Sequence, residues 1–316
     1  MTIFSKVFVN KKLFFFILIT FSFFTRFIYF YYFTDYNAFP IEDSKGYHSA
    51  AIKILQNGFF NIDLHTRPIL FPTLLSIIYK ISPVNDVFIY GRILNIILSS
   101  LSIGIFYLIL LKSNFSIFFS ALFSVLLSIY PPSIFYSVLL LTENLAILLL
   151  LISTYYLLKL SIDKNNFIYN SICLGILFGL LTLTRSSFLL LPIFLIVSVI
   201  FINLIMKKNL LPLRSLVIIV FLYLITLTPW TLRNYYEHDM VMPTTSRLGY
   251  GLYLCNNDFD NQTILQGGYS RTEVFVSNLE IANSLSLKKR SSFLINKSLK
   301  DILNNKSEFV YILHNR

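Results

Sequence analysis

Seven apolar runs in this chain are long enough, at roughly 15–24 residues each, to cross or nearly cross the hydrocarbon core of a bilayer as helices. Backbone N–H and C=O groups find no water in lipid, so such runs must satisfy these groups internally. Only 13% of the residues are charged and 56% are hydrophobic, whereas a soluble domain has about a quarter charged residues. The sequence therefore predicts an all-α, polytopic transmembrane helical bundle of about seven spans. The predicted spans cover residues 13–33, 88–111, 115–130, 144–160, 167–184, 188–206 and 216–230.

The first run is longer than the core of a signal peptide, and no small-residue cleavage site follows it. We therefore expect it to remain as an anchor. Lys6, Lys11 and Lys12 precede it, so the positive-inside rule predicts a cytoplasmic N-terminus and an extracytoplasmic position for the residues that follow.

Residues 68–81 are apolar but too short for a span, which favours an interfacial or re-entrant segment. Leaving them out places the lysine-rich loops around Lys112, Lys159, Lys164, Lys207 and Lys208 on the cytoplasmic side, as the positive-inside rule requires. The prediction is a multi-pass protein of the plasma (inner) membrane. Its parts are a transmembrane domain at 1–230, a first extracytoplasmic loop with interfacial helices at 34–87, and an extracytoplasmic C-terminal segment at 231–316.

The net charge of +11 would suggest nucleic-acid binding in a soluble chain, but here Lys and Arg lie mainly between the apolar runs, where they orient helices. We therefore expect no nucleic-acid partner. The two cysteines, Cys173 and Cys255, are too few for a disulfide framework or a zinc site.

Carboxylates are scarce, and two groups of them are predicted at the outer face. Asp43 begins a helical apolar stripe that includes Tyr47, which places it at the start of an interfacial helix; Glu42 is the neighbouring alternative. Glu143 follows a run of leucines after the Pro131-Pro132 break, and acids in such surroundings usually face a cavity or a partner. The plainer alternatives are an N-terminal helix charge for Asp43 and a helix cap for Glu143.

Four arginines are predicted at the same face. Together they would suit a phosphate, because one guanidinium group can donate two parallel hydrogen bonds to two phosphate oxygens. Each one alone could instead extend to the headgroups. The four are Arg67, Arg92, Arg185 and Arg233. Arg26 lies within the first span, where it would extend to the interface or pair with an acid, and we assign it no chemical role.

No metal site is predicted, because the four histidines show no ligand spacing. Asp43 and Glu143 together could still hold a divalent cation, since hard cations take carboxylate ligands. No nucleotide-binding glycine loop is present in the sequence.

The order and spacing of several short motifs resemble the GT-C integral-membrane glycosyltransferases that use polyprenyl-phosphate sugars. The nearest branch holds the protein mannosyltransferases, the aminoarabinose transferases of lipid A and the lipopolysaccharide galacturonosyltransferases. The matching residues are Asp43 and Tyr47, Arg67-Pro68 with Pro72, Gly91-Arg92 with Asn95, Tyr130-Pro131-Pro132, Tyr136-Ser137 with Thr142-Glu143, Gly175 and Gly179 with Leu183-Thr184-Arg185, Pro229-Trp230-Thr231-Leu232-Arg233-Asn234, Pro243 with Thr244 and Thr245, Gly249, and Asn256-Asn257.

This resemblance implies transfer of a hexose or pentose from a polyprenyl-phosphate donor to a lipid, glycan or protein acceptor at the extracytoplasmic face, with inversion. Asp43 would act as the base, and arginines would stabilise the leaving phosphate. Glu143 would orient a substrate. The family usually has more membrane helices after this point, so a truncated, non-catalytic relative is one alternative. The other is a transporter or flippase of a lipid-linked or polar substrate, because acids and arginines also mark transport paths.

Overall fold

The computed structural model describes residues 11–60, 62, 64–82, 86–163, 165–206, 211–255, 273–307, 309 and 310. All the regular secondary structure within these ranges is helical, which confirms the predicted all-α class. The α-helices are α1 (Lys11–Phe33), α2 (Glu42–Asn57), α3 (Leu70–Ile81), α4 (Phe88–Lys112), α5 (Ile117–Ser128), α6 (Pro131–Ser137), α7 (Glu143–Ile162), α8 (Phe167–Thr184), α9 (Leu191–Met206), α10 (Leu213–His238), α11 (Arg247–Cys255), α12 (Glu273–Ser284) and α13 (Leu287–Asn304), with a 3₁₀ turn at Ser186–Phe188.

The chain forms two compact units. The first comprises Met1–Leu64 and Pro68–Thr228, and the second comprises His65–Arg67 and Pro229–Arg316. The division at Pro229 lies close to the end of the last predicted span at residue 230.

Six helical segments in the described residues are long and apolar enough to cross a membrane, and a seventh candidate is the bent pair α5–α6. The seven segments coincide with the seven predicted spans. The third differs in length, because the predicted span 115–130 contains only α5, and the segment reaches span length only by continuing through α6 after a 58° bend at the Pro131-Pro132 break. The cause lies in Pro131 and Pro132, whose missing N–H groups stop the α-helical hydrogen-bond ladder.

The bent pair carries the chain across the whole first unit. Helix α4 has 25 residues and is therefore about 37 Å long. Asn95, near the start of α4, donates hydrogen bonds to the carbonyl oxygens of Leu139 and of Leu141, the latter at 3.1 Å. The chain thus leaves the far end of α4 at Lys112 and is back beside its beginning after α6, which is the path of a span.

Helix α4 is the centre of the first unit and packs against α1, α3, α5, α6 and α7. Helices α7 and α8 pack together as an antiparallel pair. Gly175 and Gly179, four residues apart on α8, let α10 approach closely: a Cβ at Gly175 would lie 2.6 Å from the carbonyl oxygen of Ile219, and one at Gly179 would lie 2.5 Å from Cβ of Thr226.

The predicted helix after the first span is present as α2, and its apolar stripe faces α3. Ala50, Ala51 and Ile54 are buried, and the Tyr47 ring packs edge-on against Phe71 with ring centres 5.5 Å apart. Helix α3 has 12 residues and is not among the span-length helices of the described chain, in line with the sequence.

Arg26 is the clearest departure from expectation. Its side chain is fully buried, so it does not extend to the interface, and its partners are neutral. One of them, the Ser128 carbonyl oxygen, lies four residues before Pro132 and is left without an N–H by that proline. The acceptors are Ser99 Oγ (2.8 Å), Ser22 O (3.1 Å), Ser22 Oγ (2.5 Å), Ser128 O (3.2 Å) and Ser133 Oγ (2.9 Å).

Within the second unit, α11 packs against α13. The close approach depends on Gly249, where a Cβ would lie 2.6 Å from the Ser291 carbonyl oxygen. The buried Trp230 donates from Nε1 to the Thr244 carbonyl oxygen at 3.1 Å, which fixes the segment that leads into α11.

Candidate functional site

The structure joins two of the predicted site residues directly. Glu143 is the first residue of α7, and Arg185 follows the last residue of α8. Because these helices pack as an antiparallel pair, their ends meet, and Arg185 Nη1 donates to Glu143 Oε1 at 2.7 Å. The two side chains are 39% and 35% exposed, so this ion pair is at the edge of the unit rather than in its core.

The second carboxylate oxygen of Glu143 is more unusual. Oε2 is buried and has no hydrogen-bond partner among the described residues. A buried acceptor left unsatisfied costs about 1–3 kcal/mol, and more when it is charged. Buried polar groups are nearly always satisfied, so an exception in a cavity wall indicates a place where a ligand donates.

Glu143 lines a cavity of about 400 Å³ in the first unit. The wall is formed by α4, the α5–α6 bend and the start of α7, and most of its surface is apolar. Hydroxyl and amide groups supply the polar part. Two lining serines, Ser99 and Ser133, also accept hydrogen bonds from the Arg26 guanidinium. Arg26 therefore holds two residues of the cavity wall in position. The polar lining residues are Ser99, Ser102, Tyr130, Ser133, Tyr136, Glu143 and Asn144.

Asp43 and Glu42 occupy the first turn of α2, as predicted, and both are exposed. Glu42 has a φ of 47°, in the left-handed region that non-glycine residues rarely adopt. Such strain in a short acidic segment is typical of functional sites.

Arg92 is placed differently from the free phosphate-binding group that the sequence suggested. Its guanidinium donates to the carbonyl oxygens of Asp35 (3.0 Å), Tyr36 (2.9 Å) and Ala38 (2.7 Å), and it lies 5.5 Å from the centre of the Phe88 ring. Arg92 therefore ties the turn that follows α1 to the start of α4. Only the Arg92 N–H groups that do not take part in these three hydrogen bonds could bind a substrate.

Arg67 and Arg233 belong to the second unit. Arg233 is 7% exposed, and its guanidinium lies 5.1 Å from the centre of the Trp230 ring and donates to Asn234 Oδ1 at 3.0 Å. These contacts give Arg233 a packing role within the unit. Its role as a substrate ligand remains a prediction, as does that of Arg67.

One polar contact near α2 was not expected from the sequence. His48 lies between the rings of Phe39, Phe88 and Tyr79, and its Nδ1 is 3.2 Å from the Tyr79 hydroxyl. Burial lowers the pKa of His48 below its usual 6.5 and raises the pKa of Tyr79. The neutral imidazole is therefore the form that this packing favours.

The part of the chain that the structure describes contains no group of three or more His, Cys, Asp or Glu side chains that could hold a metal ion. Glu143 has Arg185 as its ionic partner, so the cation that Asp43 and Glu143 could share stays a prediction.

Sequence reasoning missed the role of Arg26, although two signals pointed to it. Ser22 precedes it by one helical turn, so both face the same side of α1, and the double proline frees carbonyl groups that need a donor. The contact between His48 and Tyr79 left no such signal, because it joins two helices through their packing.

Comparisons with protein-family models, with curated proteins and with solved structures give no match to this chain.

Proposed function

We propose that this integral membrane protein is a glycosyltransferase that moves a sugar from a polyprenyl-phosphate donor to a lipid, glycan or protein acceptor at the extracytoplasmic face. One observation carries the proposal. Arg185 holds one oxygen of Glu143, while the other oxygen is buried in the wall of a 400 Å³ cavity and has no hydrogen-bond partner among the residues that the structure describes. A sugar hydroxyl is a donor suited to that oxygen, and the apolar wall suits a lipid-linked substrate.

The motifs that resemble the GT-C family also support this function, because they include Glu143, Arg185 and Asp43. In the reaction, the acceptor oxygen forms a bond to the anomeric carbon while the carbon–oxygen bond to phosphate breaks. Asp43 takes the acceptor proton, and polyprenyl phosphate leaves with the bonding electrons. Arg185 has N–H groups beyond its bond to Glu143 that can stabilise the phosphate.

Geometry in the first unit supports a single face for the two acids. Arg92, at the start of α4, binds the turn that precedes Asp43, and Asn95, one turn further on, binds the segment that precedes Glu143. Both acidic segments therefore lie at the end of the unit where α4 begins.

The function can be tested with the full chain in native membranes and in proteoliposomes. A panel of polyprenyl-phosphate hexoses and pentoses, labelled in the sugar, is supplied as donors, and label in the acceptor fraction and released polyprenyl phosphate are measured. We expect transfer with the wild type and loss with Asp43→Asn and with Glu143→Gln. The matched control is Asp163→Asn, a partly exposed carboxylate at the opposite end of α7, which should transfer at the wild-type rate. Wild-type rates for both site variants would refute the assignment.

The orientation has a separate test. In a background without Cys173 and Cys255, single cysteines at Asn37 and Ser187 should react with an impermeant maleimide from outside the cell. A cysteine at Asn165 should react only after the membrane is opened. Labelling of Asn37 and Ser187 from opposite faces would contradict a common outer site.

A transporter of a lipid-linked substrate is the second candidate, and the bend between α5 and α6 favours it, because interrupted helices line substrate paths in transporters. The two functions differ in product. A transporter moves the labelled donor across the bilayer unchanged, whereas the transferase releases polyprenyl phosphate.

A further inference from the structure

The second unit contains a cavity of about 230 Å³ that the proposed reaction does not use. We call it the basic cavity. Two arginines, Arg247 and Arg290, line it together with His65 and the serines Ser246 and Ser291, and no carboxylate is among the described residues that form its wall. The α-helix that begins at Arg247 adds the positive end of its dipole to the same place.

Arg290 is fixed in a geometry that leaves donors available. Its Nε and Nη2 donate to the carbonyl oxygens of Ala282 and Asn283, both at 3.0 Å, at the C-terminal end of α12. These carbonyl groups lie in the last turn of α12, where they lack N–H donors four residues further on, and the Ala282 oxygen also accepts from the Leu285 N–H at 3.2 Å. Its Nη1 has no partner among the described residues and remains free to bind a ligand.

Arg247 has no hydrogen bond or ion pair within the described part of the chain, and its side chain is exposed. The two serines add hydroxyl groups. Ser246 is held by the backbone of residue 65, because its N–H and its Oγ both lie within hydrogen-bond distance of the His65 carbonyl oxygen, at 2.8 and 3.2 Å. The cavity is thus formed by three separate chain segments, and these hydrogen bonds join two of them, residues 65–66 and 246–250.

The remaining wall is apolar and includes Leu279 and Leu294. Two guanidinium groups, a helix N-terminus and hydroxyl groups suit an anion with several oxygens, and the leucines suit an attached carbon chain. We propose that the basic cavity binds the phosphate group of a phosphate ester. This site does not depend on the sugar-transfer proposal.

The test measures how far phosphate compounds raise the unfolding temperature of the full chain in neutral detergent at constant ionic strength. The probes are inorganic phosphate and dihexanoyl phosphatidate below its micelle concentration. We expect saturable stabilisation of the wild type, and Arg247→Ala should raise the half-saturating concentration at least about tenfold. Arg290→Lys, which keeps the charge but loses the paired donors, should also weaken binding.

Lys300→Ala is the matched control, because it removes one positive charge from the exposed surface of α13 outside the cavity. It should leave the half-saturating concentration within about twofold of the wild type. Equal weakening by Arg247→Ala and Lys300→Ala would show diffuse charge attraction and overturn the site, as would the lack of saturation with both probes.

The two probes also distinguish the source of the phosphate. Saturation by the phosphatidate at a concentration at least tenfold lower than inorganic phosphate would identify a lipid phosphate. Similar concentrations would identify a small phosphate ester. Either result supports the site only if Arg247→Ala raises the half-saturating concentration of that probe at least about tenfold, and no sugar donor is needed for the measurement.

Discussion

Arg26 donates a hydrogen bond, at 3.2 Å, to the carbonyl oxygen of Ser128. In a regular helix that oxygen would accept from residue 132, which is a proline and has no N–H. A guanidinium from α1 thus replaces the missing donor at the bend between α5 and α6. The same guanidinium binds two serines of the 400 Å³ cavity, so the bend, the cavity wall and α1 form one hydrogen-bonded assembly.

We expect Arg26→Ala to lower the free energy of unfolding by about 2–4 kcal/mol. The substitution leaves the Ser128 carbonyl unsatisfied and opens a space lined by oxygens. Removal of a buried charge offsets part of this cost, but in the folded chain each of the three guanidinium nitrogens donates to an acceptor. Unfolding in mixed micelles measures the change.

A double-mutant cycle isolates the bond to the bend. Pro132→Ala restores an N–H four residues after Ser128, so Arg26→Ala should cost about 1 kcal/mol less in that background than in the wild type. Additive effects of the two substitutions would show that Arg26 does not act through the orphaned carbonyl.

The ion pair of Glu143 and Arg185 should matter for activity far more than for stability. Both side chains are more than a third exposed, and exposed pairs contribute less than about 1 kcal/mol. An aligned electrostatic group at a reacting centre is worth roughly 10²–10³ in rate. We therefore expect Glu143→Gln and Arg185→Met to lower sugar transfer about 100-fold while the unfolding temperature changes little.

The two substitutions act on one contact, so their combination should lower transfer little more than either does alone. Parallel assays of transfer and unfolding provide the check. A large loss of stability in either single variant would instead assign the pair a structural role.

Gly175→Ala should destabilise the first unit. The new Cβ would lie 2.6 Å from the Ile219 carbonyl oxygen and 2.9 Å from Cβ of Leu222, so α8 and α10 would have to separate. This cost should exceed the gain of up to about 1 kcal/mol that alanine brings to a helix.

Gly251→Ala is the matched control, since that glycine is also helical and nothing lies within 4 Å of an added Cβ. It should stabilise the protein by about 0.5–1 kcal/mol. The unfolding temperatures of the two variants and the wild type compare the same substitution at a position where an added Cβ would clash and at one where it would not. Equal effects would rule out the close approach of α8 and α10.

His48 should make stability depend on pH. Burial lowers its pKa in the folded protein, so the unfolded chain binds more protons as pH falls below 6.5. The stabilising contribution of the neutral ring is therefore present above pH 6.5 and is lost as pH falls through the folded-state pKa. The ring faces Tyr79, whose pKa burial raises, and the positive charge of Arg92 lies near Tyr79.

Comparison of the wild type with His48→Gln from pH 8 to pH 5 isolates this effect from the other histidines. The unfolding temperature of the wild type should fall more steeply below pH 6.5 than that of the variant. Parallel curves for the two proteins would contradict a buried neutral imidazole.

Three features follow from the amino-acid sequence alone: the helical class, the apolar segments that can cross a membrane, and the helix that begins with Glu42 and Asp43. These features depend on the length of apolar runs and on local periodicity, which act within one segment. The sequence also indicated that Glu143 and Arg185 lie at helix ends, because prolines and polar residues interrupt the apolar runs beside them.

The contacts between polar groups became known from the three-dimensional packing of the helices. It paired Glu143 with Arg185, directed Arg92 to three backbone carbonyls and buried Arg26 among serines and a carbonyl left open by a proline. Each outcome depends on how neighbouring helices are rotated and offset, and close contacts such as that at Gly175 set those quantities. Charge and spacing along the chain show that an arginine needs a partner, but the packing of helices distant in sequence selects the partner.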